Sequence, residues 1–157
     1  MSLDDLVTAL EQSHLAAWVS SSPLILGALS GFHLIGFTLV VGTALVSGLH
    51  MMGVAFADRP SREVIAIAVR VMVAGIALSV LTGIVQVSPR AGAALANWIF
   101  VAKMTLLAGA IAAQVVVPRF AARADAGTVF ELRVWSVVTT ILWLAVGVMG
   151  AAFILLE

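Results

Sequence analysis

Cysteine is absent from this 157-residue chain, and only 10% of its residues are charged. Without cysteine there is no disulfide, no thiolate metal site and no thiol nucleophile. A soluble domain carries about 25% charged residues, so this scarcity excludes an ordinary water-soluble fold. Formal net charge is zero. No basic patch or stripe suggests nucleic acid as a partner. The first charges are acidic, Asp4, Asp5 and Glu11. A secretory signal begins with Lys or Arg, so insertion is expected from internal segments. Acids are confined to ends and loops, which removes paired-carboxylate chemistry inside the membrane. No serine has a recognisable base beside it, and no glycine-rich loop suits a phosphate.

What remains is hydrophobic, 62% of residues with a mean hydropathy of +1.17. No Asp, Glu, Lys or Arg interrupts the stretch from Gln12 to Ala57. Long apolar runs predict four transmembrane helices at about 24–56, 64–87, 97–117 and 134–156. Pro23 sits at a permitted first-turn position, and Pro89 and Pro118 are expected to follow the second and third spans. Ahead of them, residues 2–19 place Leu3, Leu6, Val7, Leu10, His14, Ala17 and Trp18 at helical spacing. Acids lie between them, as in an amphipathic helix on the membrane surface. The expected fold is all-α: a single membrane domain over residues 1–157, an antiparallel four-helix bundle with an N-terminal surface helix.

Arg59, Arg62 and Arg70 cluster at the first loop, and Arg119, Arg123 and Arg133 at the third. The opposite side has only Arg90 and Lys103. Positive residues favour the cytoplasmic side, so both termini are expected in the periplasm of a bacterial inner membrane. Depth then sorts the polar residues into two layers. An outer layer would hold His33, Lys103 and Gln86, with His14 from the surface helix. An inner layer would hold His50, Arg70, Gln114 and Met72. His33, Gly36, Val40, Thr43, Ser47 and His50 form one stripe of the first span. Met72, Gly75, Ser79, Thr82 and Gln86 form another on the second.

Ionisable groups at bilayer depth are costly and point to function. His33 and His50 lie 17 residues apart, roughly 25 Å along a helix, one for each leaflet. Imidazole ligates haem, copper and zinc. With three histidines and no cysteine, a closed zinc site is excluded. Haem b suits the composition, one or two per chain. His33 would be the leading ligand with Lys103 as the cation for the propionates. His50 with Arg70 would be a second site. Met72, Met51 or Met52 inside, and Met104 or Met149 outside, are candidate axial partners. The corresponding function is electron transfer to or from a quinone or partner protein. A homo-oligomer could complete the ligand set across Gly27-x-x-x-Gly31, a helix-contact motif. Copper handling through His33, His50, Met51 and Met52 is an alternative. So is a scaffold or assembly subunit built on small-residue seams.

Two segments carry a resemblance. They are His33-Leu-Ile-Gly-Phe-Thr-Leu-Val-Val-Gly on the first span and Asn97-Trp98-Ile-Phe-Val-Ala-Lys103 opening the third. Over nearly its whole length the chain resembles small four-helix bacterial membrane proteins of an uncharacterised family. More remotely it is similar to HemJ-type protoporphyrinogen oxidases and to the membrane part of CopD-type copper proteins. The HemJ resemblance implies bound haem b and functional roles for His33 and Lys103. It also implies a further alternative, oxidation of a tetrapyrrole. The chain departs from that type in a Trp98-to-Lys103 spacing one residue longer and in lacking a Pro-Arg-Leu motif after the first span.

Overall fold

The computed structural model describes residues 2–121 and 129–155, and all the regular structure among them is helical. The elements are α1 (Leu3–Glu11), α2 (His14–Ser20), α3 (Pro23–Met51), α4 (Ser61–Val87), a 3-10 turn (Ser88–Arg90), α5 (Ala91–Ala96), α6 (Trp98–Ala121) and α7 (Val129–Leu155). Four of them, α3, α4, α6 and α7, contain stretches long and apolar enough to cross a membrane. Their outward surface is apolar too: Leu34, Ile67, Val73, Leu81, Ile141 and Val148 are all more than half exposed. Apolar surface on that scale marks contact with lipid or another protein.

Local chemistry explains the boundaries. The single surface helix expected at 2–19 is two. Ser13 turns its side chain to the Ala16 N–H at 3.2 Å and so starts α2 as an N-cap. At the start of α1, the Asp5 carboxylate accepts from the Ser2 N–H at 2.7 Å. The Ser2 hydroxyl accepts from the Asp5 N–H at 3.1 Å. This reciprocal pair is a capping box. The bond from the Ser2 backbone, then that to its side chain, holds the Asp5 carboxyl below the ordinary carboxylate range. Helix α3 stops at Met51 rather than Phe56, because Gly53 follows its C-cap with φ of 75°, the left-handed conformation that commonly ends a helix. Helix α6 runs through Pro118 to Ala121. A proline there removes only the bond to the carbonyl four residues back, near the helix end. Helices α4 and α7 begin earlier than expected, at Ser61 and Val129. Arg123, Leu156 and Glu157 lie outside the described residues.

Helix α3 packs along α4 and also on α7, α6 packs along α7, and α4 touches α6 more lightly. Val40 and Ala44 of α3, Met72 of α4, Ala110 of α6, and Trp143 and Val146 of α7 form the buried centre. All four long helices therefore contribute to one core. At one end, α1 and α2 rest on the 3-10 turn and α5, where the Gly92 N–H donates to Glu11 Oε1 at 2.8 Å.

The tightest contact is between α3 and α4. A Cβ added at Gly36 would lie 2.8 Å from the Gly75 carbonyl oxygen and 2.7 Å from Ser79 Oγ. One added at Gly75 would lie 2.7 Å from the Gly36 carbonyl oxygen. Small residues let helix backbones touch in this way, and packing replaces the hydrophobic drive that lipid cannot supply. Gly36→Ala should force the two helices apart at a cost of about 1–3 kcal/mol. At Gly42 an added Cβ meets nothing within 4 Å, so Gly42→Ala should be close to neutral. Thermal unfolding midpoints in detergent compare the two variants directly.

Candidate functional site

His33 is a half-buried residue of α3 whose ring lies against α4. Its Nδ1 is 2.8 Å from the Ser79 carbonyl oxygen and 3.3 Å from Thr82 Oγ1. A carbonyl can only accept, so Nδ1 carries the hydrogen and the neutral ring has its lone pair on Nε2. The Thr82 hydroxyl donates to Leu78 O at 2.6 Å and so meets the ring as an acceptor. Ser79 returns a bond, its Oγ donating to His33 O at 3.1 Å. Gly83 gives the ring its place: a Cβ there would sit 3.2 Å from His33 Cε1. The Nε2 atom has no hydrogen-bond partner among the described residues.

Lys103 enters from α6 and is partly buried. Its Cε and Nζ would each lie 3.4 Å from a Cβ placed on Gly150 of α7, so that glycine makes room for the amine. The ammonium is within electrostatic range of His33 and has no hydrogen-bond or ion-pair partner among the described residues. One turn beyond Thr82, Gln86 accepts from Ser30 Oγ at 3.3 Å, and its buried Nε2 is unpartnered. His33, Lys103 and Gln86 thus bring three unpartnered polar groups to the same end of the helices. Of these, Gln86 Nε2 is the fully buried one, and leaving a buried polar donor without a partner costs about 1–3 kcal/mol. His14 is exposed on α2 and is not part of this group.

The residues expected in the other layer are not brought together. His50 is buried, with Nδ1 donating to Ala55 O at 3.0 Å and Nε2 held by Ser61 Oγ at 3.1 Å. Both ring nitrogens are engaged in fixing the loop after α3. Ser61 precedes Met72 by 11 residues, roughly 16 Å of helix, and Met72 lies in the apolar centre. Arg70 is exposed. Gln114 keeps a buried, unpartnered Oε1, and Trp143 a buried, unpartnered Nε1. A further tie at this end, which sequence reasoning missed, is Arg133, whose Nε donates to Met51 O at 3.1 Å. Carbonyls in the last turn of a helix lack partners within the helix, and only the folded chain shows which arginine reaches them.

Among the described residues no three His, Cys, Asp or Glu side chains gather as a metal-binding group. No family model, curated protein or solved structure matches this chain.

His50→Ala removes two part-buried hydrogen bonds, including the one to the Ala55 carbonyl. It should lower stability by about 1–3 kcal/mol and speed proteolysis of the 52–60 loop, read by limited digestion.

Proposed function

We propose that this chain is a haem b protein of the bacterial cytoplasmic membrane, with His33 as axial ligand and a role in electron transfer to a quinone or a partner protein. The proposal includes an antiparallel four-span bundle with both termini on the periplasmic side. Contacts that pair Ser30 with Gln86, His33 with Ser79 and His50 with Ser61 support opposed directions for α3 and α4. Arg59, Arg62 and Arg133 at the other end from Lys103 support the orientation.

The observation that carries the reading is the state of His33. A metal-ligating histidine ordinarily donates its second ring N–H to a carbonyl or carboxylate, which fixes the tautomer and orients the ring. His33 has that bond, to Ser79, and a free Nε2. The donor set fits haem b: an imidazole lone pair from α3, with the Lys103 ammonium and the Gln86 amide as partners for propionate oxygens. Haem b supplies reversible one-electron chemistry when bound. The chain's own contribution is to hold the imidazole by Ser79 and Gly83, to place a cation nearby, and to exclude water with the apolar walls of α3, α4, α6 and α7. Since both nitrogens of His50 are engaged, the proposal takes one haem, on His33.

Protein purified in detergent should show a Soret band and b-type bands on reduction. His33→Ala should remove them, while His50→Ala should keep them. Unchanged haem content in His33→Ala would sink the assignment.

A second reading, tetrapyrrole oxidation, is favoured by His33 and Lys103 lying within electrostatic range, the two positions of the HemJ-type resemblance. It requires that the chain restore growth to bacteria lacking protoporphyrinogen oxidation and that Lys103→Ala abolish the rescue. Failure of the wild-type chain to rescue counts against it.

A further inference from the structure

Helices α6 and α7 end and begin at Ala121 and Val129. The eight residues between those positions span at most about 28 Å, too short to retrace the roughly 36 Å of α6. Helix α7 therefore runs back along α6. The Lys103 side chain against Gly150 sets their register. Gln114 lies eleven residues after Lys103, and Thr139 eleven before Gly150. Eleven residues at about 100° each return to nearly the same face. Gln114 thus shares the α7-facing side of Lys103, and Thr139 the α6-facing side of Gly150, at matching levels to within about a turn. Trp143 is one turn after Thr139 and meets Ala110 in the buried centre.

The polar groups at this level are complementary but incompletely paired. Trp143 is 1% exposed, and its Nε1 has no hydrogen-bond partner among the described residues. The buried Gln114 Oε1 has none either. The first only donates and the second only accepts, yet they are not bonded to each other. Helical side chains lean toward the N-terminus of their own helix. On opposed helices, Gln114 therefore leans toward the level of Trp143, and Trp143 toward that of Gln114. Thr139 is also buried, and its hydroxyl donates to Ser136 O at 3.0 Å. It is left with acceptor lone pairs alone. Thr140, by contrast, faces α3, where it reaches Ala44 O.

A group meeting all three must take one hydrogen from Trp143 and give one each to Gln114 and Thr139. A cation would be repelled by the indole N–H, and an anion by the two acceptor oxygens. Water both donates and accepts, and a buried water makes about three such bonds. We infer that one ordered water is bound between α6 and α7, accepting from Trp143 Nε1–H and donating to Gln114 Oε1 and Thr139 Oγ1. It fastens the second helix pair from inside, as the backbone contact at Gly36 and Gly75 fastens the first. This site is separate from His33 and does not depend on haem there.

The test is nuclear magnetic resonance of the full chain in detergent, labelled with nitrogen-15 at its four tryptophans. Trp18→Phe, Trp98→Phe and Trp135→Phe assign the Trp143 indole signal by elimination. The expected result is a dipolar cross-peak from the Trp143 Nε1–H to water. Its exchange with deuterated solvent should be slower than that of the exposed Trp18 and Trp98. Gln114→Leu removes one acceptor and fills its space with methyls. It should lose the cross-peak and move the indole hydrogen upfield, as expected when its bond is lost. A wild-type signal with no water cross-peak overturns the proposal, even if Gln114→Leu fails to fold. A hydrogen-bond coupling from Trp143 Nε1–H to Gln114 overturns it in favour of a direct bond. A cross-peak unchanged in Gln114→Leu overturns it by placing the water elsewhere.

Discussion

Backbone contact between α3 and α4 at Gly36 and Gly75 sets the position of the groups around it. His33 is one turn from Gly36, and Ser79 is one turn from Gly75. With the helices this close, an imidazole on α3 can reach a main-chain carbonyl of α4 at 2.8 Å. Within α4 that carbonyl is already the acceptor for the amide four residues on, which belongs to Gly83. A side chain on Gly83 would crowd the ring out. Two glycines bring the helices together, and a third leaves the carbonyl accessible to His33.

The two interior histidines differ in what is left over. His50 is more buried than His33, yet both its nitrogens are bonded to the loop and to Ser61. It acts as a fastener. His33 is less buried but has one nitrogen free, and the nearby Lys103 amine and Gln86 Nε2 have no partner among the described residues. Unsatisfied polar groups are expensive where neither water nor protein answers them. Buried unpartnered atoms occur elsewhere too, at Gln114 and Trp143 as well as Gln86, so what separates the two histidines is the open Nε2 of His33 against the two engaged nitrogens of His50. Burial alone does not distinguish the roles of the two histidines; the hydrogen-bond inventory does.

The helical nature of the chain and its four apolar stretches were legible from hydropathy, because lipid-facing surface tolerates few charges. The inward face of α3 was largely legible: Gly36, Val40, Ser47 and His50 of the expected stripe are buried, while His33 and Thr43 are only partly so. Arg70 was grouped with Met72 by depth, and phase tells against it. Two residues at 100° each put Arg70 on nearly the opposite face, and it is exposed. The bonds of His50 were out of reach because they depend on the path of the loop after Gly53. The break at Ser13 was readable in principle, since serine is a common N-cap, but the apolar spacing continues across it and masks it.

The pattern of contacts also bears on how such a chain is built. Helices adjacent in sequence make the most extensive faces, α3 with α4 and α6 with α7. The joint between these pairs is narrower and rests on α3 against α7. There the Phe37 ring presses on Gly147 and Thr140 reaches Ala44 O at 3.3 Å. The bond from His33 to Ser79 lies wholly within the first pair, whereas Lys103 belongs to the second. The nearness of Lys103 to His33 therefore depends on the narrower joint between the pairs, and a change at Phe37 or Gly147 would reach the histidine's surroundings without touching it.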